Sequence, residues 1–260
     1  NKHSTGVGAG MIAIFVILGV LGAAALIMLI IKAAAEAEKR RKQRIADMQA
    51  FAQSLGLSFH PGQDPDHDEQ YTHFEIFQRG FDRAAYNTIF GTITLDNAEV
   101  ELNAGDFTYK TRERYTTTDS KGRTRTRTRI VKHHFSYFIL ELPYITMPDM
   151  LIRREGIFDK IASAFGKNDI DFESAEFSRK YYVQSESRKF AYDIIHPRMM
   201  EFLLATSPGR VDIEHSRICL SDGMTVWKAP RFPQAFDWTR QFLDLWPDFV
   251  VKDLTQGRVL

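Results

Sequence analysis

The stretch FTYKTRERYTTT at residues 107–118 is followed by DSKG at 119–122 and by RTRTRTRIVKHHFSYFILEL at 123–142. Both flanking segments alternate between two kinds of side chain, which is the period of a strand with two different faces. The DSKG segment combines an aspartate and a glycine, residues that favour tight turns. The sequence therefore predicts a long antiparallel β-hairpin here.

Further strands are predicted on both sides of this hairpin. Residues 89–95 and 100–102 alternate around an Asp-Asn turn at 96–97, and shorter strand-like segments lie at 170–172, 181–183 and 211–226. Residues 60–76 are rich in Pro, Gly and Asp and are predicted to be a loop. From Phe232 to Trp246 apolar residues recur at helical spacing. A block of strands followed by mixed elements predicts an α+β fold with an antiparallel sheet.

The composition of the chain excludes several classes of protein. Its 260 residues include 34 Lys and Arg against 33 Asp and Glu, which excludes a globally basic nucleic-acid binder. Because the two kinds of charge balance, any charge signal must be local. The single cysteine, Cys219, excludes an intramolecular disulfide and a cysteine-based zinc site.

The N-terminal part of the sequence predicts a membrane anchor. Residues 10–31 are apolar throughout, and a helix needs about 20 such residues to cross a bilayer. Basic residues that follow an apolar segment stay on the cytoplasmic side. This membrane-surface basic stop contains Lys39, Arg40, Arg41 and Lys42. We therefore expect a single-pass protein of the inner or intracytoplasmic membrane, with its N-terminus outside.

These features predict three regions. Residues 1–32 form the transmembrane helix and a short tail, residues 33–56 a basic helical stalk, and residues 57–260 the cytoplasmic domain. Within the first region Gly19, Gly22 and Ala23 share one helix face, and small side chains let a second helix approach closely. We interpret them as helix-packing residues; the alternative is that glycine and alanine are common in membrane spans.

Several short motifs follow one another in a recognisable order. They are FEIF at 74–77, then Gly80, Asn87 and Gly91, then IDF at 170–172 and EFSRKY at 176–181. This order resembles an uncharacterised family of bacterial single-pass membrane proteins with an N-terminal span, a basic stop and an α+β cytoplasmic domain. The resemblance covers about the middle half of the chain. It implies the topology and no activity.

The hairpin carries the strongest local charge signal. Between Lys110 and Lys132 there are nine Lys and Arg and two acids. Alternation places four arginines on one face at steps of about 7 Å, namely Arg123, Arg125, Arg127 and Arg129. Three interpretations stay open: a solvated hairpin with protected edges, a contact for anionic lipid head groups or an acidic protein surface, and a nucleic-acid contact with Tyr109 and Tyr115 stacked on bases.

Neither catalytic residues nor a metal site are predicted. The sequence has no G-x-S-x-G elbow, Walker loop or dinucleotide fingerprint. The acids from Asp64 to Glu75 have the spacing of an EF-hand, but Glu69 stands where that loop needs glycine. The histidines nearby match no metal-ligand spacing; these are His60, His67 and His73. We also predict that Cys219 is a buried core residue and that no cofactor is bound.

Together these features predict a non-enzymatic accessory or scaffold subunit of a larger membrane complex, such as a respiratory or photosynthetic one. Its predicted partners are other subunits, the lipid bilayer and anionic lipid head groups, and nucleic acid is disfavoured. The alternative is a membrane-tethered ligand-binding or enzymatic domain. A pocket lined by convergent polar groups would favour that alternative.

Overall fold

The computed structural model describes residues 5–95, 98–155 and 170–258, with side chains from Leu21 onward. The chain divides into two compact units, Asn1–Ala46 and Asp47–Leu260. The Asp-Asn turn predicted at 96–97 lies outside the described residues.

The described residues of the first unit, 5–46, all belong to the 50-residue helix α1, Thr5–Ser54. Alanine and glutamate at residues 33–38 are strong helix formers. Three members of the predicted basic stop pair with acids one turn away. Arg41 Nε lies 3.0 Å from Glu38 Oε2. Arg40 lies 3.9 Å from Glu36, and Lys42 lies 3.9 Å from Glu38. These exposed pairs fit the helix spacing and stabilise it only slightly.

The prediction of a membrane-spanning helix is wrong, because no helix among the described residues is long and apolar enough to cross a bilayer. The predictions of a single-pass anchor and an inner-membrane location, which rest on that helix, are therefore wrong as well.

The predicted helix-packing face falls within this same segment. A Cβ added at Gly22 would meet nothing within 4 Å, and Ala23 is exposed. The surroundings of Gly19 are not among those that the structure describes.

The second unit has the predicted α+β class and antiparallel sheet. Its strands are β1 Ser58–Asp64, β2 Phe81–Leu95, β3 Ala98–Thr118, β4 Thr124–Glu141, β5 Met150–Arg154, β6 Tyr181–Ser185, β7 Arg210–Glu214 and β8 Arg217–Leu220. They form one sheet in the order β1-β2-β3-β4-β8-β7-β5-β6, and every neighbouring pair is antiparallel.

Short helices connect and cover these strands. They are α2 His67–Gln70, the 3-10 turn Glu75–Gln78, α3 Ala175–Lys180, α4 Arg188–Ile194, α5 Pro197–Thr206, α6 Arg231–Asp244 and α7 Asp248–Thr255. Helix α6 carries the predicted apolar stripe and buries Phe232, Ala235 and Phe242.

Strand β1 corrects part of the loop predicted at residues 60–76. The prediction failed because the strand contains Pro61 and Gly62, residues that normally break strands. Here β1 is an edge strand with a register shift between His60 and Gln63. An edge strand at an irregularity tolerates a proline because no ladder bond from its nitrogen is needed.

Two buried layers pack on opposite faces of the sheet. The larger layer holds the end of α1 and the C-terminal helices, with Met48, Phe138 and Phe242 among its buried residues. The smaller layer is formed where residues 67–78 cover the other face. Its fully buried aromatic side chains are Phe74, Phe77, Phe107, Phe135 and Tyr137.

An ionic network joins the covering segment to the sheet. The buried Arg210 guanidinium holds both oxygens of Asp212, with distances of 2.7 Å from Nε and 2.8 Å from Nη2, and it also reaches Glu75 Oε2 at 3.2 Å. Glu75 in turn accepts two hydrogen bonds of 2.9 Å from Arg79. Burial works to raise the pKa of Glu75, but the hydrogen bonds and charges of Arg79 and Arg210 outweigh it and lower that pKa.

The residues of the sequence resemblance mark positions of backbone constraint. Gly80 and Gly91 have φ of 65° and 140°, and Asn87 has φ of 52°. The Asn87 amide donates a 2.9 Å hydrogen bond to the buried Asp106 carboxylate. These three residues therefore shape the course of β2 beside β3.

Replacement of Gly80 by alanine should destabilise the domain by at least about 2 kcal/mol. Its φ is left-handed, and an added Cβ would lie 2.1 Å from the Lys110 carbonyl oxygen. Gly122 is the matched control, because it has φ of 74° and open space around it. Gly122→Ala should cost about 1 kcal/mol. Urea unfolding measures both, and equal losses would contradict the argument.

Candidate functional site

The end of the β3–β4 hairpin extends past the rest of the sheet. Pairing between β3 and β2 ends at Lys110, and pairing of β4 with β8 begins only at Phe138. Between these points the two strands continue as a two-stranded segment, residues 111–131, which we call the ribbon. None of its residues belongs to either buried cluster.

The four predicted arginines do not form a uniform row. Arg123 lies in the turn, where its backbone N–H and its Nε bond to the Asp119 carboxylate at 2.9 and 3.2 Å. Arg129 pairs with Glu113 across the ribbon at 2.9 Å. These two guanidiniums hold the ribbon together.

Arg125 and Arg127 differ from this pair. Both are exposed, and they face the same side as their cross-strand neighbours Thr117 and Tyr115. Within the part of the chain that the structure describes, no acid pairs with either of them. The ribbon therefore presents two available guanidiniums on one face.

Tyr109 and Tyr115 lie in different environments. Tyr109 is buried and stacks on His133 with ring centroids 4.7 Å apart. Tyr115 is 38% exposed, and the Arg129 guanidinium lies 5.7 Å from its ring centroid. Only one aromatic ring of the two is thus open to a partner.

The acidic segment from Asp64 to Glu75 does not form a calcium loop. Asp64 accepts a hydrogen bond from the backbone of Asp66, Asp68 pairs with Arg83 at 2.7 Å, and Glu75 belongs to the ionic network. Their carboxylates therefore have separate partners instead of converging.

The histidines of this segment are also apart. His60 is exposed, whereas His67 is 2% exposed and lies among aromatic rings, with centroids 4.7 Å from Tyr71 and 4.8 Å from Tyr137. Its Nε2 has no hydrogen-bond partner. Burial lowers the pKa of His67 to about 4, so the ring stays neutral in the folded protein near pH 7.

This buried histidine should make the domain sensitive to acid. Because the pKa of His67 is lower in the folded state than in the unfolded state, its contribution to stability is present above about pH 6.5 and is lost as the pH falls towards 4. His67→Phe keeps a ring in place and should reduce the loss of unfolding free energy between pH 7 and pH 5 by about 1–2 kcal/mol. Urea unfolding at both pH values tests this, and an unchanged pH dependence would refute it.

A cleft of about 680 Å³ lies at the end of the sheet away from the ribbon. The described residues that line it include the acids Asp64, Glu101 and Glu141 and no lysine or arginine. Glu101 and Glu141 are directly opposite each other in the β3–β4 register, and Glu141 pairs with Arg217 at 2.8 Å. Phe90, also in the lining, is 43% exposed.

A second group of polar side chains lies where β5 begins and β7 ends. Asp149, Glu214 and His215 each offer one ligand atom, and these atoms lie within 4.8 Å of one another. Burial raises the pKa of Glu214 to about 9, with smaller contributions from Asp212 and Asp149, and burial also raises the pKa of Asp149. No spacing in the sequence indicated this group, because Asp149 is far from the other two along the chain.

Cys219 is fully buried, as a core residue would be. Burial raises the pKa of its thiol well above the usual value, so the reactive thiolate is not formed near neutral pH.

Comparisons with known proteins give one structural likeness. No family model matches the chain. No curated protein matches it. The crystal structure of the mycobacterial trehalose monomycolate transport factor A, TtfA, is similar with a TM-score of 0.47 and 14% sequence identity, over 78% of this chain and 96% of that chain. A likeness at this level supports no argument about function.

Proposed function

We propose that this protein is a non-enzymatic adaptor that binds an acidic surface of a partner protein through the ribbon. The observation that carries the proposal is the pair Arg125 and Arg127 on one face of a ribbon outside both cores. The proposal keeps the scaffold role predicted from the sequence and drops the membrane anchor.

The geometry of the pair suits carboxylates. Two residues apart on a strand, the two guanidiniums leave the backbone about 7 Å apart on the same face. Each guanidinium can donate two parallel hydrogen bonds to one carboxylate. Two acidic side chains at similar spacing on a partner would therefore complete the arrangement.

The choice of arginine also supports an interface. Charged residues of any kind protect an edge strand, and lysine is the usual one. The ribbon carries five arginines on its two strands, and its lysine lies at the turn. Arginine is enriched in protein interfaces while lysine is depleted, because the planar guanidinium loses less hydration. The preference for arginine thus favours a protein interface over a hairpin whose charges serve only to keep it soluble.

An acidic protein is favoured over nucleic acid as the partner. The formal net charge is +1, so no broad positive field attracts a phosphate backbone.

A photo-crosslinking amino acid at Thr117 tests the proposal in the native host. Thr117 is exposed and lies opposite Arg125. We expect a nuclease-resistant protein adduct of discrete mass, identified by mass spectrometry. Arg125→Ser with Arg127→Ser should reduce its yield by about tenfold, since each lost pair contributes up to about 1 kcal/mol. Higher salt should reduce it as well.

Two control variants separate charge from position. Arg179→Ser with Arg188→Ser makes the same change of net charge at exposed positions outside the ribbon and should leave the adduct unchanged. Arg125→Lys with Arg127→Lys keeps the charge but removes the paired donors and should give an intermediate yield. An adduct that survives in the double Ser variant, or one that contains only nucleic acid or lipid, would refute the proposal.

The acidic cleft supports a second candidate, the binding of a small organic ammonium ion. Glu141 is already paired with Arg217, so the acid that a ligand cation would balance is its opposite neighbour Glu101. The exposed Phe90 ring offers a cation a favourable face. This corresponds to the ligand-binding alternative raised by the sequence, without the membrane tether.

Thermal unfolding in the presence of primary and quaternary ammonium compounds tests the second candidate. A ligand should raise the unfolding temperature of the wild type, and Glu101→Gln should remove most of that rise. Glu99→Gln, an exposed acid on the same strand outside the cleft, should keep it. The candidate fails if no compound raises the temperature or if both variants respond alike.

A further inference from the structure

The strand register brings together the side chains of Asp149, Glu214 and His215. Met150 pairs with Ile213 in the antiparallel β5–β7 ladder, so the next residues outward, Asp149 and Glu214, lie opposite each other. The β7–β8 hairpin then turns through His215 and Ser216, both at positive φ. His215 N–H donates a 3.2 Å hydrogen bond to Asp149 Oδ1, which fixes the turn against the start of β5.

The backbone around this group is held firmly. The Asp149 carbonyl oxygen accepts hydrogen bonds from Ser185 Oγ at 2.8 Å and from the Glu186 N–H at 3.0 Å. In the β7–β8 ladder the backbone of Glu214 lies opposite that of Arg217. The three side chains are therefore presented from fixed positions, and only their own rotations set the distances between their donor atoms.

The Glu214 carboxylate lacks the partners that half-buried polar groups normally have. In residues 5–95, 98–155 and 170–258 no hydrogen bond or ion pair involves the Glu214 carboxylate, and the adjacent Arg210 is bound to Asp212 and Glu75. His73 packs on His215 with ring centroids 4.9 Å apart, and its buried Nε2 has no hydrogen-bond partner. Such unsatisfied groups are uncommon in native structures and call for an explanation.

We propose that Asp149, Glu214 and His215 form a binding site for a divalent transition-metal cation of the zinc type. Two carboxylates and one imidazole are a ligand set that suits Zn²⁺ and its neighbours, whereas Ca²⁺ takes six to eight oxygens. Three protein ligands leave one position of a tetrahedral ion for water or a partner's side chain.

The observed distances suit closure around an ion. Ligand atoms around a tetrahedral zinc lie about 3.3–3.6 Å apart, which follows from bonds of about 2.0–2.2 Å. The donor atoms here lie within 4.8 Å of one another. The exposed His215 and the half-buried Asp149 and Glu214 can close this gap by side-chain rotation, without a shift of the ladder.

Zinc binding by the full chain tests the proposal. The protein is first treated with a chelator, which is then removed, and it is titrated with Zn²⁺ alone by calorimetry. Elemental analysis after desalting measures the amount of bound zinc. We expect one zinc per chain and a higher unfolding temperature with zinc. Glu214→Gln and His215→Asn should each weaken binding by about 100-fold, since loss of a ligand exceeds the effect of losing an outer partner. Asparagine is chosen at His215 because it tolerates positive φ.

Matched substitutions elsewhere identify non-specific binding. Glu99→Gln and His60→Asn remove the same kinds of group at exposed positions outside the cluster and should bind zinc as the wild type does. Circular dichroism confirms that each variant is folded before titration. The proposal is overturned if the wild type retains no zinc, or if folded Glu214→Gln and His215→Asn bind zinc with unchanged affinity.

Discussion

The pairing of β3 with β4 is the constraint on which the other features depend. It runs without a break from Glu101 opposite Glu141 to Thr118 opposite Thr124. A slip of one residue would move every side chain of one strand to the opposite face, so the aromatic residues of the smaller core and the apolar residues of the larger core would exchange environments. The same register sets the two acids of the cleft opposite each other and places Arg125 and Arg127 beside Thr117 and Tyr115.

The smaller core shows how charge and apolar burial are combined. A short segment covers one face of the sheet with Phe74 and Phe77, and it is held by the network of Glu75 with Arg79 and Arg210. A buried ion pair gains little net stability, because its desolvation offsets its attraction. What the network supplies is position: loss of one partner would leave a buried charge unpaired, and that is strongly unfavourable.

The surfaces proposed as binding sites share a physical origin. Each lies at the end of a strand or beyond the last residue that pairs with a neighbouring strand. Side chains there are not covered by an adjacent strand. The ribbon continues past β2 and β8, and the cluster of Asp149, Glu214 and His215 lies where β5 begins and β7 ends. At such edges charged groups can be presented without being buried in either core. The sheet thus acts as a rigid support, and the charged side chains proposed to bind ligands lie at its ends.

The sequence by itself determined the features that depend on local periodicity. Alternation at residues 107–142 predicted the hairpin, the period of the C-terminal stripe predicted α6, and the isolated Cys219 indicated a buried core residue. The apolar N-terminal segment led instead to a membrane anchor that the described helix does not support. Tertiary structure alone decided which arginines are free, because Asp119 and Glu113 reach Arg123 and Arg129 only through the turn and the cross-strand register. It alone also brought Asp149 to Glu214 and His215, since strand pairing joins residues that no sequence spacing relates.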